Sequence, residues 1–317
     1  MYNEKLKAEF IRQYTASTLA STKYVAVFNV IEPYEEEWGA DFCTRSAEEL
    51  RPVVTKASGL RARSAALNIA LLRDYVKWCI KNGVEGACDG MLSITDTGLD
   101  KVKTQTIANP GHLQQYLDAI CRPVEKQTTD DTIRCYFWLA YAGVKEEDIL
   151  DIKIYDVDFN NMVVHYNKEG TDVEIYPESL PAFHNCVELD QFFYENARYE
   201  MWRNRVPGNN LLRGIRGEFS LHAMRVDLSR RAKKSEDEGV SSLRLSYNRA
   251  RISGVFYRAY QDELAGLPVD FRPYVDFVRK GKEYDLKSCR NTQDSKLNQL
   301  VREYENDYKR WKAAWYQ

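Results

Sequence analysis

His222 and Arg225 stand three residues apart in SLHAMR, residues 220–225. On a helix that spacing puts both side chains on one face, where an imidazole and a guanidinium can grip a single phosphate. The segment around them is strongly basic. Residues 201–258 hold thirteen Lys and Arg against five Asp and Glu, a net of +8, whereas the whole chain carries −2 and the remainder therefore −10. Most of these cations are arginines, whose planar fork matches the oxygens of a phosphate. The candidates for contact with a polyanion in this region are Arg213, Arg216, His222, Arg225, Arg230, Arg231, Lys233, Arg244 and Arg249. A charge distribution of this kind is expected of an anion-binding face on an otherwise acidic protein. A surface that is merely charged and solvated is the competing explanation.

A second basic cluster, Lys56, Arg61 and Arg63, lies at the start of a helical stretch over residues 59–81. A helix N-terminus offers free backbone N–H groups as well as charge, so it suits phosphate twice over. A third feature is AYAGVKEEDILDI, residues 140–152, where an apolar helix stops at Gly143 and Lys145 follows, then three acids. Lys168 lies in a turn-rich YNKEGTD, and Tyr257 ends RISGVFY in the basic segment, with Tyr247 and Tyr260 nearby. With 21 tyrosines in the chain, however, one is expected near any given position.

Other chemistry is excluded by spacing. The seven cysteines form no C-x-x-C pair and the four histidines are scattered, so neither a metal site nor a cofactor is expected. Most of the cysteines sit in apolar periodic stretches, as small buried hydrophobes in a reducing compartment do. No apolar run approaches the roughly 20 residues that cross a bilayer. The N-terminus MYNEKLKAEF lacks a signal-peptide core. A cytoplasmic protein without a membrane partner is expected.

The elements that must position these residues can be read from periodicity. Helices are expected over 4–14, over 21–38 with Pro33 ending or kinking it, near SAEELRPVV with Ser46 as cap, and over 59–81. The last carries Leu60, Leu67, Leu71, Tyr75 and Trp78 as its apolar stripe and stops at Asn82-Gly83. Residues 84–108 have no sustained period and read as a linker. Helices follow over 110–121 and 129–142. IKIYDVDF, MVVHY and VEIYP then alternate between turns and predict a three-stranded antiparallel sheet. From Leu180 onward the pattern reads as helical, ending in an amphipathic tail over 283–317. The fold class is therefore mainly α with a small three-stranded antiparallel sheet. Two domains are expected, residues 1–105 and 106–317, the second including the tail.

This order of elements and these motifs resemble the tyrosine recombinases and phage integrases, over about residues 5–260. That resemblance implies a helical core-binding domain and a catalytic-like domain that clamp double-stranded DNA between them. It also implies roles. His222 and Arg225 match the family's His-x-x-Arg box, Lys168 its general-acid lysine, and Tyr257 its nucleophile. AGVKEEDI aligns with the family's Thr-Gly-Leu-Arg-x-x-Glu-Leu, so Lys145 stands where the family has a phosphate-clamping arginine. No histidine follows His222, and Asn248 or Arg249 occupies the place of the family's later His or Trp. Such a set keeps phosphate affinity and loses transition-state geometry. Within the superfamily the chain is most similar to the MrpR-type repressors of SPβ-like phages, through MYNEKLKAEFI, KYVAVFNVIEPYE and RISGVFYR. The resemblance implies a repressor that binds an operator in a bacterial host cell and keeps a phage lysogenic, without cutting DNA. Its partners would be operator DNA, further copies of the chain on that DNA, and a regulatory protein or peptide. The alternatives are an active recombinase or a protein-interaction module with a basic face.

Overall fold

The computed structural model describes residues 1–14, 18–58, 62–94, 99–166, 171–195, 198–214, 217–274 and 290–316. They divide into two compact units, Met1–Val102 with Val275–Gln317, and Lys103–Tyr274. The fold is mainly helical with a small three-stranded antiparallel sheet.

The first unit is built on α1 (Glu4–Tyr14), α2 (Thr18–Trp38), α3 (Ala47–Ala57) and α4 (Ala62–Lys81). α2 runs on through Pro33, which lies exposed. α3 starts at a reciprocal cap, in which the Ser46 hydroxyl accepts from Glu49 N–H and the Glu49 carboxylate accepts from Ser46 N–H at 3.0 Å. The buried face of α4 recurs at three and four residues through Ala65, Ile69, Leu72, Val76 and Cys79, with Tyr75 and Trp78 beside it. Leu67, expected in that stripe, is exposed, and Leu60 lies outside the described residues. Phe10 meets Tyr75 at 5.2 Å and Trp78 at 5.6 Å, ring edges to ring faces, at the centre of this core. Lys7 and Glu35 form an ion pair with no exposed surface, and Glu35 also accepts from Phe42 N–H at 2.9 Å.

The stretch 84–108 is more structured than its sequence implies. It carries α5 (Gly90–Ser93) and α6 (Leu99–Lys103), and Met91 and Ile94 are buried in the core of the first unit. The tail differs from expectation too. The helix α12 (Arg290–Tyr316) packs on α4 and belongs to the first unit, not with residues 106–274. Tyr304, Tyr308, Trp311 and Ala314 are buried along one of its faces. Asp307 accepts from Ala62 N–H at 2.7 Å, and Glu303 meets Arg63 at 2.6 Å.

The second unit is organised around α8 (Asp130–Ala142), buried on every side from Asp130 to Tyr141. Before it comes α7 (Pro110–Ile120). After it come β1 (Val157–Asp158), β2 (Val163–Tyr166) and β3 (Thr171–Glu174), antiparallel in that order, with Val164 opposite Val173. α9 (Leu180–Glu188), α10 (Leu221–Asp237) and α11 (Tyr247–Leu264) follow. Between α9 and α10, where helix was expected, stands a two-stranded hairpin, β4 (Gln191–Glu195) with β5 (Glu200–Asn204). α8 and α11 approach so closely that a Cβ on Gly254 would lie 1.8 Å from the Tyr141 carbonyl oxygen. Gly143 ends α8 in the left-handed region at φ +112°, with its N–H on Ala140 O and Val144 N–H on Leu139 O.

Candidate nucleic-acid interface

The Gly143 cap turns the chain so that Lys145 and Glu146 follow directly on the end of the central helix. α10 brings Arg225 there from its second turn, with His222 three residues earlier on the same helix. Its N-cap is Ser220, whose hydroxyl accepts from Ala223 N–H at 3.3 Å. His222 and Arg225 are both exposed. The Arg225 guanidinium is gripped as a fork by Glu146, Nε to Oε1 at 2.9 Å and Nη2 to Oε2 at 2.5 Å. The Tyr136 hydroxyl, from the buried middle of α8, donates to the same Oε1 at 2.5 Å. The Tyr136 ring packs at 4.6 Å against Tyr247, whose hydroxyl donates to Val144 O at 3.0 Å. One carboxylate thus ties α10 to α8, and one tyrosine ties α11 to the same turn.

The electrostatics follow from these contacts. Burial pushes the Glu146 carboxyl up, but hydrogen bonds from Arg225 and Tyr136 and the Arg225 charge outweigh it, leaving it below the usual carboxylate range. The Glu146 hydrogen bond and charge hold Arg225 above its ordinary value. Burial, and then the bond to Glu146, push the Tyr136 phenol up. Lys145, half-buried, lies within electrostatic reach of Asp148. Asn248 is exposed in the first turn of α11. Arg249, next to it, is half-buried, and burial lowers its pKa.

Tyr257 sits elsewhere on α11, two and a half turns beyond Asn248 (about 3.6 residues to the turn). Its ring lies 6.2 Å from Tyr141. Burial raises its pKa, and the charges of Glu178 and Glu174 raise it further. These are surroundings that disfavour a phenolate.

The other expected contacts separate into two groups. Arg213 is a framework residue: its guanidinium is 5% exposed and donates to Asp190 at 2.6 Å, to Leu189 O at 2.7 Å and to Cys186 O at 3.0 Å. A guanidinium so enclosed cannot reach a phosphate. Arg231 is largely spoken for as well, bound to Asp130 at 2.8 Å, to Asp227 at 2.7 Å and to Ile120 O at 3.0 Å. Arg230, Lys233 and Arg244 are exposed, with Arg230 on Asp227 and Arg244 on Glu236. In the first unit Lys56 is exposed near the Tyr34 ring, and Arg63 is exposed but paired with Glu303. Lys168, Arg61 and Arg216 lie outside the described residues.

Sequence reasoning passed over Glu146 and Tyr136. Glu146 adjoins Lys145 in a run of acids, and nothing in its spacing points to an arginine 79 residues away. It also missed the hairpin, whose Tyr199, Met201 and Trp202 are exposed and whose Arg203 stacks on Tyr194 at 4.1 Å.

Comparison with known proteins places a family over part of this chain. Residues 1–81 match the family described as MrpR, N-terminal core-binding domain. No curated protein matches the chain. Among solved structures, the XerA recombinase is similar at 12% identity and a TM-score of 0.35, over 81% of this chain and 84% of that one. The lambda integrase bound to DNA is similar at 13% and 0.32, over 84% and 90%. The Tn1549 transposon integrase in complex with a circular intermediate DNA is similar at 13% and 0.35, over 83% and 87%. No described helix is long and apolar enough to cross a membrane.

Proposed function

We propose that this chain is a sequence-specific double-stranded DNA-binding protein with a recombinase-like architecture, acting as a phage or prophage repressor and not cutting the DNA it binds. The MrpR match over the first 81 residues supports the repressor role. The basic segment, with His222 and Arg225 exposed on the first turns of α10, supports a phosphate contact.

The surroundings of Tyr257 support the absence of cutting: a tyrosine nucleophile is activated by a base or by cations that lower its pKa, whereas burial and the charges of Glu178 and Glu174 raise that of Tyr257. Lysine at 145 removes a second requirement, because a mobile point charge does not replace a bidentate clamp on a transition state. The partner is an operator duplex, occupied by more than one copy of the chain and released by a regulatory protein or peptide.

The test is selection of bound fragments from genomic DNA, followed by mapping of their shared sequence. A common duplex site near promoters is expected. Fragments without any shared site would contradict sequence-specific binding. A tyrosine recombinase would instead be recognised by strand exchange at the mapped site.

A further inference from the structure

The two oxygens of the Glu146 carboxylate sit in the Arg225 fork as two phosphate oxygens would, and Tyr136 donates a third bond to one of them. Carboxylate and phosphate are the two anions that this planar fork fits. The side chain of Arg225 is nonetheless 59% exposed, so solvent reaches it while Glu146 is bound. Glu146 is anchored on the core side. It is 22% exposed and held through Tyr136, whose own ring is buried against Tyr247. The acid is therefore fixed to the framework, and the arginine is the partner with freedom to leave.

We infer that Glu146 is a built-in competitor for the phosphate site, so that a DNA phosphate takes the Nε–Nη2 edge of Arg225 only by exchanging with this carboxylate. The inference rests on the reading above that Arg225 meets a DNA phosphate. The exchange breaks two guanidinium–carboxylate hydrogen bonds and forms equivalent ones to phosphate. Glu146 also leaves a negative charge beside the phosphate, which opposes binding further. Every phosphate contact made here is weakened equally, whatever the base sequence. Discrimination then falls more heavily on contacts elsewhere, as suits a protein that must ignore most of a genome.

The test uses the full chain and a fluorescein-labelled random-sequence duplex, with affinity read by anisotropy across a series of KCl concentrations. Glu146→Gln removes the charge and half of the fork. It is expected to bind roughly fivefold more tightly, which is about the strength of a well-formed exposed ion pair. The salt dependence should steepen as Arg225 becomes free to displace a counterion. Tyr136→Phe, which only loosens the Glu146 anchor, is expected to shift affinity the same way by less. Glu147→Gln removes a neighbouring exposed charge without touching the fork and is expected to do little.

Combining Glu146→Gln with Arg225→Ala should abolish the gain. A gain equal to that of Glu147→Gln, or one that persists without Arg225, would mean bulk charge and overturn the competition. No gain from either Glu146→Gln or Tyr136→Phe, in folded variants where Arg225→Ala alone weakens binding, would overturn it too. If Arg225→Ala leaves binding unchanged, the underlying reading of Arg225 falls instead, and the competition falls with it.

Discussion

Arg225 is the residue on which charge and geometry converge in the proposed DNA contact, and the His-x-x-Arg spacing that pointed to it is a local signal on one helical face. Arg225→Ala is expected to weaken binding to every duplex while leaving sequence preference nearly unchanged. The log–log salt slope should fall by about one unit. An unchanged slope in a chain that keeps its circular dichroism would remove Arg225 from the DNA contact. Charge alone misled at Arg213 and Arg231, because a run of arginines does not say which ones are buried against carbonyls and acids. The same blindness hid Asp131, which sits in the first turn of α8. Burial pushes its carboxyl up to about 7, although Asn185 hydrogen-bonds it and Arg205 and Arg134 lie near. An acid whose folded pKa lies above its unfolded value of about 3.9 favours folding when protonated. That contribution is present below about pH 4 and is lost as pH rises towards about 7. Asp131→Asn should flatten this part of the pH dependence and stabilise the chain at pH 8 by on the order of 2 kcal/mol. Urea unfolding at pH 5 and pH 8 measures both. Equal pH dependence in the two proteins would show that Asp131 ionises without cost.

Elements with one strong period were legible, and those with weak or two-sided patterns were not. α4, α8 and the three-stranded sheet follow from spacing and turn residues. The hairpin β4–β5 did not, because its residues are mostly half-exposed or exposed on both faces and show no clean alternation. The tail helix was legible as amphipathic, with Tyr304, Tyr308 and Trp311 on its buried face. Its partner was not, since periodicity identifies an apolar stripe without saying what covers it. α12 supplies the carboxylate on Ala62 N–H and the partner of Arg63, so it stabilises the start of α4 directly. Removing residues 290–317 should destabilise the first unit by several kcal/mol, at roughly 1.5–3 kcal/mol for each large apolar side chain no longer buried. Hydrogen exchange should show α4 amides losing protection while α8 amides keep theirs. Equal protection of α4 in both proteins would mean that α12 adds nothing to this unit.

The molecule as a whole pairs a helical unit, matched over residues 1–81 by the MrpR core-binding family, with a unit whose basic segment carries His222 and Arg225. On the proposed reading, two modest binding surfaces joined in one chain would gain avidity by roughly 10²- to 10⁴-fold if both reach one duplex, so neither cationic cluster would need to bind tightly alone. The units divide between Val102 and Lys103, within the stretch 84–108 where the sequence loses its period. The return of the tail to the first unit did not show in the sequence, because a contact between α4 and α12 spans 245 residues between Ala62 and Asp307. At this scale the claim that matters is binding without cutting. It is tested most directly by incubating the full chain with a labelled, nicked suicide duplex of its selected site and running the same sample on a native gel and on a denaturing gel. The expected result is a retarded complex on the native gel that disappears completely in SDS. An SDS-resistant adduct that is lost in Tyr257→Phe would show a phosphotyrosyl bond and make this chain a recombinase.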